Sequence, residues 1–140
     1  VLAAFSAGEL DIARTDALAQ VAAGAHLLDV NAGVPGADEP TLLTRVVRAV
    51  MEVTDVPLCL DTANPIALEK ALAVYQGKAI VNSCNGEERK LATILPIVKE
   101  HGAAVIGLCL DDEGIPKTAA GRLSPSRSIF DCQYSSTVLV

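Results

Sequence analysis

Four short apolar runs in this chain each end in acidic or amide residues, and each is followed by a loop. They are Leu27-Leu28-Asp29-Val30-Asn31, Leu58-Cys59-Leu60-Asp61, Ile80-Val81-Asn82-Ser83 and Gly107-Leu108-Cys109-Leu110-Asp111. The first three loops lead into Ala/Leu-rich segments with helical spacing. Apolar strands that alternate with helices are typical of a parallel sheet covered by helices. We therefore predict an α/β fold with about four parallel strands.

The length and net charge of the chain limit the size of its fold and the class of its partners. A chain of 140 residues can bury one core, whereas a complete (β/α)8 barrel usually needs about 250 residues. The net charge of −6 argues against nucleic acid or an anionic membrane as the main partner. No run approaches the roughly 20 apolar residues of a membrane span, and no signal sequence opens the chain. Because Val1 starts within a helical pattern, we expect a cut N-terminus.

Turn and capping residues predict where the elements begin and end. In the first half we expect a helix over 11–23 stopped by Gly24, a strand over 25–31, a helix with Pro40 in its first turn and a strand ending at Asp61. A helix from Asn64-Pro65 to Tyr75 and a strand ending at Asn82 should follow. The last two expected elements are a helix that has a capping box of Asn85 and Glu88 and reaches Glu100, and a strand over 103–110. Proline at position 96 predicts a kink or an early break in the last of these helices.

The last 17 residues differ in character from the rest. Residues 1–123 contain two serines, whereas residues 124–140 contain five. No apolar helical stripe continues there, although a βα fold needs its next helix at this point. We predict a domain over 1–123. The Ser-rich tail over 124–140 does not match the pattern of that domain and is predicted to be disordered or artefactual.

The polar residues at the strand ends form the predicted site. Side chains two apart on a strand share a face, so Asp29 with Asn31, and Cys59 with Asp61, point the same way. A single such residue often only caps a helix or fixes a turn. Taken together, Asp29, Asn31, Asp61 and Asn82 favour a ligand site, because carboxylates accept while amides donate and accept. That combination suits a flat heterocycle with amino and ring N–H groups, such as a pterin or a guanine-like edge.

Cysteine and histidine residues give no catalytic or metal pattern. The four cysteines lie about 25 residues apart with no CxxC pair, which predicts free thiols in a reducing cytoplasm rather than zinc ligands or disulfides. Cys84 follows Asn82 closely, but a catalytic thiolate needs a basic neighbour, and none is evident. His26 and His101 are interpreted as structural. The acidic pair Asp111 and Asp112 is interpreted as a solvated loop.

Several motifs together resemble a known family. They are Leu28-Asp29-Val30-Asn31-Ala32-Gly33, Pro57-Leu58-Cys59-Leu60-Asp61-Thr62-Ala63-Asn64-Pro65, Val81-Asn82-Ser83-Cys84-Asn85, and the run Glu100 to Leu108 with Gly114-Ile115-Pro116-Lys117. Over residues 1–123 the chain resembles the pterin-binding (dihydropteroate synthase-like) barrels. Within them it is most similar to the methyltetrahydrofolate:corrinoid methyltransferases, with the folate domain of cobalamin-dependent methionine synthase as a relative.

The resemblance implies part of a (β/α)8 TIM-type barrel. It implies that Asp61 and Asn82 contact the pterin, with Asp29 and Asn31 at the first polar strand tip. The family passes the N5 methyl group of methyltetrahydrofolate to the cobalt of a cobalamin or other corrinoid held by a partner protein or domain, and dimers are common among its barrels. The asparagine that contacts N5 in the family has no counterpart in these residues, so the catalytic residue is left unassigned.

Two alternatives remain open at the level of sequence. Dihydropteroate synthase-type enzymes share the barrel but condense a pterin pyrophosphate with para-aminobenzoate, and Asn82-Ser83-Cys84-Asn85 differs from their Asn-Asp-Val-Ser-Gly-like segment. The other alternative is an inactive, truncated pterin-binding fragment. The full-length protein is expected to be an enzyme, and the fragment alone to be inactive.

Overall fold

Helices and strands alternate along the chain, as the apolar runs predict. The computed structural model describes residues 7–133, with side chains for residues 10–131, and the chain divides into two compact units, Val1–Ala79 and Ile80–Val140. The first unit contains α1 (Ala7–Ala22), β1 (Leu28–Asn31), α2 (Glu39–Met51), β2 (Leu58–Asp61) and α3 (Pro65–Val74). The second contains β3 (Ile80–Asn85), α4 (Glu88–Glu100), β4 (Ala104–Leu108) and α5 (Ala119–Gln133).

Both strand pairs are parallel. β1 pairs with β2 in the first unit, and β3 pairs with β4 in the second. The predicted α/β class with four parallel strands and covering helices is therefore confirmed, and it is compatible with the predicted partial TIM-type barrel. The first and last strands are shorter than predicted: β1 begins after residues 25–27, and β4 ends before residues 109–110.

The core of the first unit lies between its two strands and the helices α2 and α3. The alternating strand residues Leu28 and Val30 of β1 are buried, as are Leu58 and Leu60 of β2. One face of α2 is buried along its length, at Leu42, Leu43, Val46, Val47, Ala49 and Val50. Small residues of α3, such as Ala67 and Ala71, are also fully buried. Their size lets α3 pack closely against α2.

Local capping begins both of these helices where the sequence predicts. Asp38 caps α2 by accepting a hydrogen bond from the Thr41 backbone N–H, at 3.4 Å. Asn64 caps α3 by accepting from the backbone N–H groups of Ile66 and Ala67, at 3.0 and 3.3 Å. Gly24 follows α1 with a φ of 101°, the left-handed conformation that favours glycine after a helix.

The second unit corrects the predicted start of one helix. The predicted capping box is wrong: Glu87 is the N-cap of α4 and makes no side-chain capping bond, while Asn85 binds Glu87 instead. An acceptor from another loop takes part, since Asp112 Oδ2 accepts from the Glu88 backbone N–H at 3.1 Å. Pro96 lies within α4, which runs to Glu100 without a break.

The Ser-rich segment is helical as far as the structure describes it. α5 extends to Gln133 and buries Pro125 and Ile129, where the sequence predicts a disordered or artefactual segment from residue 124 onward. Serine hydroxyls of this helix bond to carbonyls of the preceding turn, as when Ser126 donates to the Arg122 carbonyl. The boundary at residue 123 stays a prediction, and residues 134–140 lie outside the described residues.

Candidate functional site

The register of β1 and β2 brings four polar side chains to one face of the first unit. Asp29 is the partner of Cys59 in the ladder, and Asn31 is the partner of Asp61. Each pair lies two residues from the other, so all four side chains project to the same side. The opposite side carries the buried residues of the core. Three of the four predicted site residues, Asp29, Asn31 and Asp61, are therefore neighbours at the carboxyl ends of parallel strands.

Asn31 and Asp61 are joined directly. The Asn31 Nδ2 group donates to Asp61 Oδ2 at 2.8 Å, and Asn31 Oδ1 accepts from the Gly33 backbone N–H at 2.8 Å. The second bond fixes which end of the amide faces Asp61, because only Nδ2 can donate to a carboxylate. Asp61 keeps Oδ1 and a second lone pair on Oδ2 as further acceptors.

The thiol of Cys59 lies under this face as a neutral group. Cys59 is buried, and its burial raises the pKa of the thiol to about 12, with a hydrogen bond to Asp29 and the negative charges of Asp29 and Asp61 adding to the effect. A thiolate is the reactive form of cysteine. Cys59 is therefore part of the packing beneath the carboxylates and not a nucleophile at neutral pH.

A second set of hydrogen bonds supports the loop after β2. Thr62 is buried, with 5% of its surface exposed. Its hydroxyl donates to Glu39 Oε1 at 2.5 Å and accepts from the Asn64 backbone N–H at 3.0 Å. Asn64 Nδ2 donates to Glu39 Oε2 at 3.3 Å. Sequence reasoning identified Asn64 as a helix cap but missed Glu39 and Thr62, because no local spacing links two residues 23 apart.

Asn82, the fourth predicted site residue, lies in the second unit. It is on β3, is half-buried, and is the ladder partner of Ile106 on β4. The register between these strands shifts between Asn82 and Cys84, so the regular alternation of faces is interrupted there. Cys84 is fully buried, which agrees with a role in packing.

The acidic loop after β4 has a structural role in the second unit. Asp112 supports the first turn of α4, as described above, and Asp111 Oδ1 accepts from the Glu113 backbone N–H at 3.1 Å. Within residues 10–131, no group of three or more His, Cys, Asp or Glu side chains could hold a metal ion. No described helix is long and apolar enough to cross a membrane.

Comparison with known proteins agrees with this architecture. The family described as pterin binding enzyme matches residues 3–125. Methionine synthase from Mycobacterium tuberculosis is 33% identical over 127 residues, which is 87% of this chain and 10% of that protein. Methylcorrinoid:tetrahydrofolate methyltransferase from Eubacterium limosum is 28% identical over 120 residues, 84% of this chain and 44% of that protein. Methionine synthase from Mycobacterium leprae is 28% identical over 127 residues.

The fold is thus that of an α/β protein with polar side chains at the tips of parallel strands. The chain belongs to the pterin binding enzyme family, which confirms the resemblance inferred from its motifs. It spans less than half the length of each of these curated relatives. By their names, one of these relatives is a methyltransferase and the other two are methionine synthases.

Proposed function

We propose that this chain provides the pterin-binding part of a methyltransferase that moves the N5 methyl group of methyltetrahydrofolate to the cobalt of a corrinoid. The observation that carries the proposal is the bond between Asn31 and Asp61. It orients a carboxylate at a strand tip and leaves that carboxylate free to accept further hydrogen bonds.

Asp61 fits the pyrimidine edge of a pterin. That edge presents a 2-amino group and a ring N–H as neighbouring donors, and a carboxylate can accept from both at once. Because Asn31 already supplies one donor to Oδ2, the carboxylate cannot rotate freely away from a ligand. Asp29 adds a second acceptor on the same face. Asn82 is proposed as a further contact that both donates and accepts.

In the proposed chemistry this chain positions the pterin and does not supply the nucleophile. The corrinoid supplies the cobalt that accepts the methyl group, and a partner protein or domain carries it. The residues described here would hold the pterin ring so that its N5 methyl faces that partner. Protonation or hydrogen bonding at N5 must assist departure of the amine, and we assign that role to a residue that this chain does not supply.

The names of the relatives support both the ligand and the partner class. One names a methylcorrinoid and tetrahydrofolate together, and two are methionine synthases. Methyl transfer is reversible in principle, so the direction in which this protein works is left open. A cytoplasmic location is part of the same proposal, supported by the free thiols of Cys59 and Cys109. A homodimer, which the resemblance to the family implies, stays a prediction.

The direct test is calorimetric titration of the chain with methyltetrahydrofolate, comparing the wild type with Asp61→Asn. The amide at position 61 can still accept from Asn31, but it then presents an N–H₂ group to the donors of the pterin. We expect the affinity to fall about 10-fold to 100-fold. Asp55→Asn is the matched control, because Asp55 is exposed in the loop before β2 of the same unit.

Further assays separate the alternatives. Adding cob(I)alamin to the chain with methyltetrahydrofolate tests methyl transfer, and adding a pterin pyrophosphate with para-aminobenzoate tests the condensation reaction. Folate binding without either reaction identifies a binding fragment of the larger enzyme. No binding by the folded wild-type chain would contradict the proposed ligand site.

A further inference from the structure

A carboxylate outside the predicted site lies against the loop that follows Asp61. Glu39 is in the first turn of α2, and both of its oxygens are hydrogen-bonded to the loop after β2. Oε1 accepts from the Thr62 hydroxyl and Oε2 accepts from Asn64 Nδ2. The first turn of α2 and the loop after β2 are thereby connected through one side chain.

Both side-chain oxygens of Glu39 must act as hydrogen-bond acceptors in these contacts. Asn64 Oδ1 already caps α3 by accepting from Ile66 and Ala67, so its Nδ2 end must face Glu39 and donate. The Thr62 hydroxyl accepts from the Asn64 backbone N–H, so its own hydrogen is directed to Glu39. A glutamine at position 39 could satisfy one of these donors but would turn its own N–H₂ group towards the other.

Thr62 transmits this constraint to the proposed pterin contact. It directly follows Asp61 in the chain, and its side chain is buried. A buried hydroxyl that loses its partner costs free energy, so the backbone at position 62 is held where the bond to Glu39 forms. Asp61 is consequently constrained from two sides, by Asn31 through its carboxylate and by Thr62 through its backbone.

We propose that Glu39 is a positioning residue for Asp61, acting through Thr62 and Asn64. This inference rests on the proposed function for the role of Asp61 towards a pterin. Glu39 touches neither the pterin nor the methyl group in this proposal. It acts by fixing the direction in which the Asp61 carboxylate accepts hydrogen bonds.

A test without ligand follows the Asp61 side-chain carboxyl by carbon-13 NMR. We expect Glu39→Gln and Thr62→Val to shift this resonance and to speed hydrogen exchange at the Asn64 amide. Thr62→Ser keeps the hydroxyl and should retain the wild-type signals. Glu69→Gln removes an exposed charge from α3 of the same unit and is the matched control. An unchanged Asp61 resonance in folded Glu39→Gln and Thr62→Val would overturn the proposal.

A test with ligand compares tetrahydrofolate with an analogue whose 2-amino group is replaced by methyl. If Glu39 acts through Asp61, Glu39→Gln weakens tetrahydrofolate about fivefold to thirtyfold and weakens the analogue, which keeps only the ring N–H as a donor to Asp61, by a clearly smaller factor. Equal weakening of both ligands would show that Glu39 serves only the fold and would overturn the inference. If the wild type binds neither ligand, the proposed function fails, and the ligand-free NMR result still decides the role of Glu39.

Discussion

The Asn31 amide donates to the Asp61 carboxylate across the paired ends of β1 and β2, with 2.8 Å between Nδ2 and Oδ2. The two residues are ladder partners, so the strand register itself brings them together. One N–H of Asn31 Nδ2 is used by Asp61 and one lone pair of Oδ1 by Gly33, so both ends of the amide are held in place and each keeps one further hydrogen-bonding position. We therefore interpret Asn31 as the support of Asp61.

Replacing Asn31 tests that interpretation. We expect Asn31→Asp to weaken folate binding more than Asn31→Ala does, because two carboxylates at hydrogen-bond distance repel and one of them takes up a proton. Calorimetric titration measures both affinities. Gln76→Glu adds the same charge at an exposed position of the first unit and should leave binding unchanged. Equal affinity of Asn31→Asp and the wild type would contradict the support role.

Gly33→Ala tests the same bond from its other side. A Cβ atom at position 33 would lie 3.2 Å from Asn31 Oδ1, closer than most Cβ contacts, so the Asn31 amide must move. We expect a loss of folate affinity with a small change in melting temperature, since Gly33 is exposed. Thermal unfolding of the same sample separates the two effects. A large loss of stability with full affinity would show that the contact serves the turn alone.

Cys59 should resist alkylation while the chain is folded. Its pKa of about 12 keeps the thiol protonated at pH 8, and burial blocks access. We expect iodoacetamide to modify Cys59 slowly in the native chain and rapidly in urea, as measured by peptide mass spectrometry. Cys109, which is only partly buried, provides the internal comparison. Rapid native modification of Cys59 would contradict the buried, neutral assignment.

The same thiol predicts a loss of stability at high pH. Because the pKa in the folded chain is raised, the folded state holds its proton over a range in which the unfolded chain, with a pKa near 9.0, has released it. The contribution of Cys59 is fully present below pH 9 and is lost as pH rises towards 12. Urea unfolding at several pH values, compared with Cys59→Ala, should show a shallower decline for the variant. Parallel declines would assign the pH dependence to other groups.

Ile129→Ala tests whether the segment after residue 123 is part of the folded second unit. Ile129 is 5% exposed and would lie 3.5 Å from a Cβ atom placed on Gly107 of β4. We expect the substitution to lower the free energy of unfolding by about 2–5 kcal/mol. Phe130→Ala is the neighbouring control, because Phe130 is 43% exposed. Equal, small effects of both substitutions would favour the predicted boundary at residue 123.

The positions of the elements were largely predictable because their signals are local. Proline at position 65 after Asn64 determines where α3 begins, and a glycine after α1 determines where it ends, since these residues act on their own backbone. The end of α4 at Glu100 was predicted, but its capping box was not correct, and no helix was predicted for the segment that forms α5. Asp112, distant in sequence, supplies an acceptor for the first turn of α4, and α5 lacks an apolar stripe because its buried positions are few and include Pro125.

By itself, the sequence determined the α/β class and the placement of Asp29, Asn31 and Asp61 at strand ends, because period and capping are local properties of the chain. The tertiary structure decided which of these side chains meet and what each can still bind. Parallel pairing set Asn31 opposite Asp61, and packing of α2 beside α3 brought Glu39 to Thr62. Hydrogen bonds between residues far apart in sequence depend on strand register and helix packing, and no local pattern encodes them.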